Sequence, residues 1–146
     1  LEKDRCENIG KYISQLYRKG SSFIAKGLSS EGIGSGQLMF LLELYRQDGI
    51  TQDDLTERLN IDKGTTARAL KKLEEKEIIV RLKNERDKRV NNIYLTDKGI
   101  DAKYRVYKVL DEWDGVLSQN LTIEEKKIVL ELLKKICINQ NTKMGG

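Results

Sequence analysis

A mainly α (α+β) fold is predicted by three observations. Apolar residues recur at three- and four-residue spacing over most of the 146 residues, and the chain has no proline. Only two short runs alternate as half-buried strands do.

Taken in order, residues 3–28 read as a long helix. Cys6, Ile9, Ile13, Leu16, Tyr17, Phe23, Ile24 and Leu28 share one face, interrupted by Gly20 and Gly27. Residues 29–36, six of them Gly or Ser, read as a linker. Leu38 to Gln47 forms a second helix that ends near Gly49. Thr51 offers an N-cap hydroxyl, with Asp53 and Asp54 on the first turn of a short third helix to about Leu59. Asp62 is the next N-cap, opening a fourth helix to about Lys76. Two extended runs, Ile78 to Lys83 and Val90 to Leu95, flank the charged tip 84–89 and make a hairpin. Thr96 caps a helix reaching about Ser118, and Thr122 with Glu125 forms a capping box for the last helix. The polar tail from Asn139 onward is expected to fray.

Composition narrows the function. The chain has no histidine, so Ser-His-Asp and Cys-His sites cannot be built and most metal sites lose their usual ligand. The acidic pairs Asp53-Asp54 and Glu124-Glu125 lie on helix first turns, where capping accounts for them. No enzyme, metal site or cofactor is expected. No apolar run is long enough to span a bilayer and the N-terminus shows no signal-peptide pattern, so a cytoplasmic protein without a membrane partner is expected. Cys6 and Cys137 are not a disulfide framework.

The net charge of +4 is concentrated. Between Asp62 and Arg89 stand ten basic residues against six acidic ones, and the rest of the chain balances. A polyanionic partner is to be sought there. On the helix from Asp62, Thr66, Leu70 and Leu73 fall on one side and Gly64, Arg68 and Lys71 on the other, at about 100° per residue. The second helix of a helix-turn-helix enters the DNA major groove by its N-terminal residues. Arg68 can pair with guanine O6 and N7, and Thr65 with a base or a phosphate. Lys63, Lys71 and Lys72 suit phosphates, and Thr66 is grouped in the same DNA-binding set. A charge run is also what an ordinary solvated helix face presents.

The hairpin weighs against that plainer reading. Lys83, Arg86, Lys88 and Arg89 sit on or beside a protruding tip, and Asp87 stands two residues before Arg89. An aspartate so placed can hold the arginine extended for a narrow A·T-rich minor groove. A helix for the major groove beside a hairpin for the minor groove is a winged helix-turn-helix, assigned to residues 35–99. The outer helices, residues 1–34 and 100–146, form a helical dimerisation region. Their apolar faces have little else to cover them, so a two-fold homodimer is expected. Its contacts are Ile9, Ile13 and Leu16 with Ile128, Leu132, Leu133 and Ile136. A winged-helix module that binds another protein, without specific DNA binding, is the alternative.

Asp87-Lys-Arg89, a five-residue strand and then Leu95-Thr96 resemble the wing signature of MarR-type transcriptional regulators. Thr96-Asp-Lys-Gly99 is similar to that family's strand-to-helix junction, and residues 62–76 look like its recognition helix. The resemblance implies a homodimer on a pseudo-palindromic double-stranded DNA operator, acting as an effector-responsive repressor. Asp87 would then orient Arg89 in the minor groove. Glu77 stands where the family commonly has glycine, Ser35-Gly36 replaces Thr-Pro, and Thr66 replaces an aliphatic residue.

Members of the family respond to small aromatic anions, lipophilic compounds or oxidants. Tyr17, Phe40 and Tyr45 are candidate walls of an effector pocket with Arg18 as anion partner. The alternative is that these aromatics are core. Cys6 lies in the element that carries the sensing cysteine in oxidant-responsive members, and its plainer reading is a small hydrophobe.

Overall fold

A computed structural model describes residues 5–144, with side chains placed as far as Ile138. Helix α1 (Ile9–Gly27) starts later than its apolar periodicity suggests, because Asn8 caps it by accepting the Lys11 N–H at 2.9 Å. The linker is shorter than expected. Ser29–Glu31 closes into a 3-10 turn, and α2 (Ser35–Arg46) already begins at Ser35. The Gln37 side chain secures that start by accepting the Gly34 N–H at 2.9 Å. Gly27 is explained by a close approach: a Cβ there would stand 2.8 Å from a methyl of Val109. The Arg105 guanidinium donates to the Gly27 carbonyl at the same crossing.

Thr51 opens α3 (Gln52–Leu59) by accepting the Asp54 N–H, and Asp62 opens α4 (Lys63–Glu75) by accepting that of Thr65. Between them Asn60 takes φ +50°, a left-handed conformation that Asn tolerates better than most residues. Leu55, Leu70 and Leu73 are buried where these two helices meet. They continue the core made by Phe40, Leu41 and Leu44 of α2, with Val106 and Val109 beyond. Fully burying such side chains contributes roughly 1.5–3 kcal/mol each.

Strands β1 (Ile79–Lys83) and β2 (Asn91–Leu95) pair antiparallel, with Ile79 opposite Leu95 and Lys83 opposite Asn91. Ile79 and Ile93 point into the core, while Val80, Leu82 and Tyr94 face solvent. A third backbone segment joins them. Gly49 donates its N–H to Ile93 O at 2.8 Å, Ile93 donates to Ile50 O, and Thr51 bridges to Asn92.

Thr96 caps α5 (Asp97–Asp101) and also donates its hydroxyl to Glu77 O at 2.6 Å, tying the hairpin's exit to the end of α4. The single helix expected from Thr96 to Ser118 is divided by a turn at Ala102, after which α6 spans Lys103–Ser118. Helix α7 runs Ile123–Met144, opened by the reciprocal Thr122–Glu125 box. Its helical backbone continues past Asn139, where the polar composition predicts fraying. Residues 1–4 and 145–146, on which part of the first-helix and tail readings fall, lie outside the described residues.

The chain divides into two compact units, one ending at Leu110 and the other beginning at Asp111, a boundary inside α6. The first unit holds α1 together with the helix-turn-helix and hairpin. In the second, Lys126 pairs with Asp114. No helix of the described residues is long and apolar enough to cross a membrane.

The end of α4 carries a local strain. Glu77 sits at φ +60°, while its N–H reaches Glu74 O at 2.9 Å and Ile78 N–H reaches Leu73 O at 3.0 Å. This is a glycine-type helix stop occupied by a side-chain-bearing residue. Glu77→Gly is therefore expected to raise stability by about 1 kcal/mol, read as a higher midpoint in urea at unchanged slope. A lower midpoint would show that the strain at Glu77 is smaller than the backbone entropy a glycine adds to the unfolded chain.

Candidate nucleic-acid interface

The exposed side of α4 is organised by its cap. Asp62 Oδ1 accepts the Thr65 N–H at 2.8 Å, and Oδ2 accepts the Thr65 hydroxyl at 2.7 Å. Arg68 Nη2 donates to that hydroxyl at 3.0 Å. The Thr65 hydroxyl and N–H together hold the Asp62 carboxyl below its usual range. Thr65 and Arg68, which the sequence places on one reading face, are thus linked before any ligand arrives. Lys63, Lys71 and Lys72 are exposed around them.

Thr66 is a correction. It is 0% exposed, and its hydroxyl donates to Asp62 O at 3.0 Å inside the helix. It fills the place of an aliphatic residue by spending its one polar hydrogen on the turn below, and it offers nothing to a groove.

At the hairpin tip Arg89 is gripped on three donors. Its Nε and Nη2 meet the two oxygens of Asp87 at 3.0 and 3.1 Å, and its backbone N–H meets Oδ1 at 3.1 Å. The guanidinium holds the Asp87 carboxyl below its usual range. The Arg89 side chain is nonetheless 90% exposed, oriented by Asp87 but uncovered. Lys83, Arg86 and Lys88 are exposed beside it. Arg81, one of the ten basic residues of the segment, is committed elsewhere: it forms a two-pronged pair with Glu74 at 2.9 and 3.2 Å.

Two residues not singled out in the sequence shape this tip. Asn84 Oδ1 accepts the N–H groups of Arg86 and Asp87 at 2.9 and 3.1 Å, and Asn84 Nδ2 donates to Asn92 Oδ1 at 2.9 Å. A signal existed, because asparagine is depleted in strands and Asn91-Asn92 opens β2.

The four candidate effector residues stand in different surroundings. Phe40 is 1% exposed in the core and has no surface to offer a ligand, which corrects its assignment as a pocket wall. Tyr17 stands 74% exposed, and Arg18 donates to Ser14 on its own helix. Tyr45 donates its hydroxyl to Gly99 O at 2.7 Å and packs 5.9 Å from Tyr107, with the Lys103 ammonium over both rings. Burial raises its phenol well above its usual range. Cys6 and Cys137 are free and exposed.

Residues 33–90, the segment that contains α4 and the hairpin tip, match the MarR family. The chain is 40% identical to a MarR transcriptional regulator from Methanosarcina mazei Go1, with a TM-score of 0.84 over 93% of this chain and 97% of that one. The chain belongs to the MarR family. It is a winged helix-turn-helix DNA-binding transcriptional regulator, and the protein-binding alternative is set aside. Among curated MarR-type relatives, it is 32% identical over 131 residues to the HTH-type transcriptional regulator BilQ of Clostridium symbiosum (strain WAL-14163). That match spans 89% of this chain and 91% of the relative. A MarR family regulator from Listeria monocytogenes, solved in complex with a 26mer DNA, is 25% identical with a TM-score of 0.81. It covers 91% of this chain and 89% of that one. The Asp87–Arg89 grip is thus found on a MarR wing, and the Asp62–Thr65–Arg68 network on a MarR recognition helix.

Proposed function

We propose that this MarR regulator binds a pseudo-palindromic operator as a homodimer, each copy placing α4 in the major groove and Arg89 in the neighbouring minor groove. The observation that carries the reading is Arg89 itself, held by both oxygens of Asp87 yet exposed at the end of a protruding hairpin. An arginine ordered in advance loses less entropy on entering a groove, and a narrow A·T-rich groove concentrates the negative potential that attracts it. The DNA-bound family member from Listeria monocytogenes supports DNA as partner.

Arg68 and Thr65 read base edges, and Lys63, Lys71, Lys72, Lys83, Arg86 and Lys88 meet phosphates. Dimerisation is supported by the apolar side chains that one copy leaves in water. Ile9, Ile13 and Leu16 of α1 and Ile128, Leu132 and Leu133 of α7 are all exposed, with Ile136 half-buried. A dimer seated on both half-sites covers one face of the duplex, which suits repression by exclusion. Release by a small effector goes with this reading, its site now sought without Phe40.

Salt and substitution test it together. Operator affinity should fall steeply with added salt as counterions are released, and Arg68→Ala should cost about 1–3 kcal/mol per half-site with relaxed base preference at one position. Lys71→Ala should instead weaken all sequences alike and lower the salt slope by about one unit per half-site. Salt-insensitive association, or Arg68→Ala binding with unaltered preference, would overturn the assignment.

A further inference from the structure

The tip of the wing is bonded to a segment outside the hairpin. A chain of side-chain bonds begins at the carbonyl of Gly49, in the turn before α3, which accepts Asn92 Nδ2 at 2.8 Å. Asn92 Oδ1 accepts Asn84 Nδ2 at 2.9 Å, and Asn84 Oδ1 accepts the N–H groups of Arg86 and Asp87. Asp87 then holds Arg89. Both asparagines are half-buried. The loop is also closed by backbone bonds from Asn84 N–H to Val90 O and from Val90 N–H to Asp87 O.

The anchor is fixed in its turn. Gly49 has φ +81°, a conformation side-chain-bearing residues avoid, and a Cβ there would stand 2.9 Å from the Tyr94 ring. Its N–H is committed to Ile93 O, so the carbonyl offered to Asn92 is held against β2.

We infer that Asn84 and Asn92 are positioning residues that set the direction of Arg89 relative to the recognition helix, relaying the place of the α2–α3 turn to the wing tip without touching DNA. This rests on the reading of Arg89 as the minor-groove contact. Without the relay the two-stranded ladder, the loop's backbone bonds and the Asp87–Arg89 grip survive, but the tip loses its tie to the α2–α3 turn, and part of the arginine's direction must be set at binding. A tip that wanders also loses its match to groove width, the feature by which a narrow A·T tract is distinguished.

The experiment is a double-mutant cycle on operator DNA, with Asn84→Ala and Asn92→Ala each made in the parent and in Arg89→Ala. In the parent, each asparagine variant is expected to lower affinity about 5- to 10-fold, and to reduce the advantage of A·T over G·C pairs at the wing's minor-groove position. Preference at the Arg68 position should be kept. In the Arg89→Ala background the same changes are expected to cost less than about 2-fold, since the group they position is gone. Equal losses in both backgrounds, or no loss in the parent, would overturn the inference, because a purely structural role is indifferent to Arg89. Should Asn84→Ala fail to fold, Asn92→Ala carries the same cycle, for it leaves the Asn84 turn and the backbone ladder intact. Arg89→Ala binding like the parent would refute the minor-groove reading and this inference with it, an outcome read on that variant alone.

Discussion

Leu132→Glu combined with Leu133→Glu is expected to convert the proposed dimer to monomers and lower affinity for the full operator by about 10²–10⁴-fold. That range is the loss when a second, linked binding event becomes an independent one. Both leucines are exposed in the single copy, so the substitutions bury no charge within it. In a dimer they would force four carboxylates into an apolar contact, where unpaired charges cost several kcal/mol each. The measurement is sedimentation at several concentrations beside a titration of whole and half operator. A variant that stays dimeric would place the dimer contact elsewhere. A monomer that holds the whole operator at parental affinity would sink the two-half-site reading.

Removing the wing's arginine is the second large effect. An arginine buried in a groove ranks among the residues whose truncation costs about 2 kcal/mol or more. A dimer carries the change twice, so Arg89→Ala should weaken the whole operator by roughly 10³-fold. The fold should be indifferent, because an exposed side chain away from the core usually contributes within about 0.5 kcal/mol of nothing. Arg89→Lys is expected to recover little, since an ammonium cannot be held on two prongs by Asp87. Unchanged affinity in Arg89→Ala at unchanged thermal stability would remove the wing from the interface. The two predictions fail differently, one by oligomeric state and the other by affinity in an intact dimer.

Features made by neighbours along the chain are legible in the residue order alone. Thr51, Asp62, Thr96 and Thr122 each satisfy a backbone donor three residues ahead, and Asp87 reaches Arg89 across two. Such bonds lie within one helical turn or one loop, so the residue types and their spacing nearly specify them. The fold class follows for the same reason, from apolar spacing and two short alternating runs.

Thr66, Phe40 and Asn92 show where that reasoning stops. Helical spacing puts Thr66 beside Leu70 and Leu73, but only its full burial takes its hydroxyl out of the DNA-binding set, and Phe40 is free to line a cavity until Leu41 and Leu44 join it in a closed core. Asn92 meets Gly49 across 43 residues, and Tyr45 meets Gly99 across 54. Pairings at that distance depend on how helices and strands come together, a choice made by the summed burial of many side chains. By itself the sequence determined the fold class, the caps at Thr51, Asp62, Thr96 and Thr122, the basic segment 62–89 and the paired aspartate and arginine of the wing. The tertiary structure alone decided which of those groups still face water and what holds them in place.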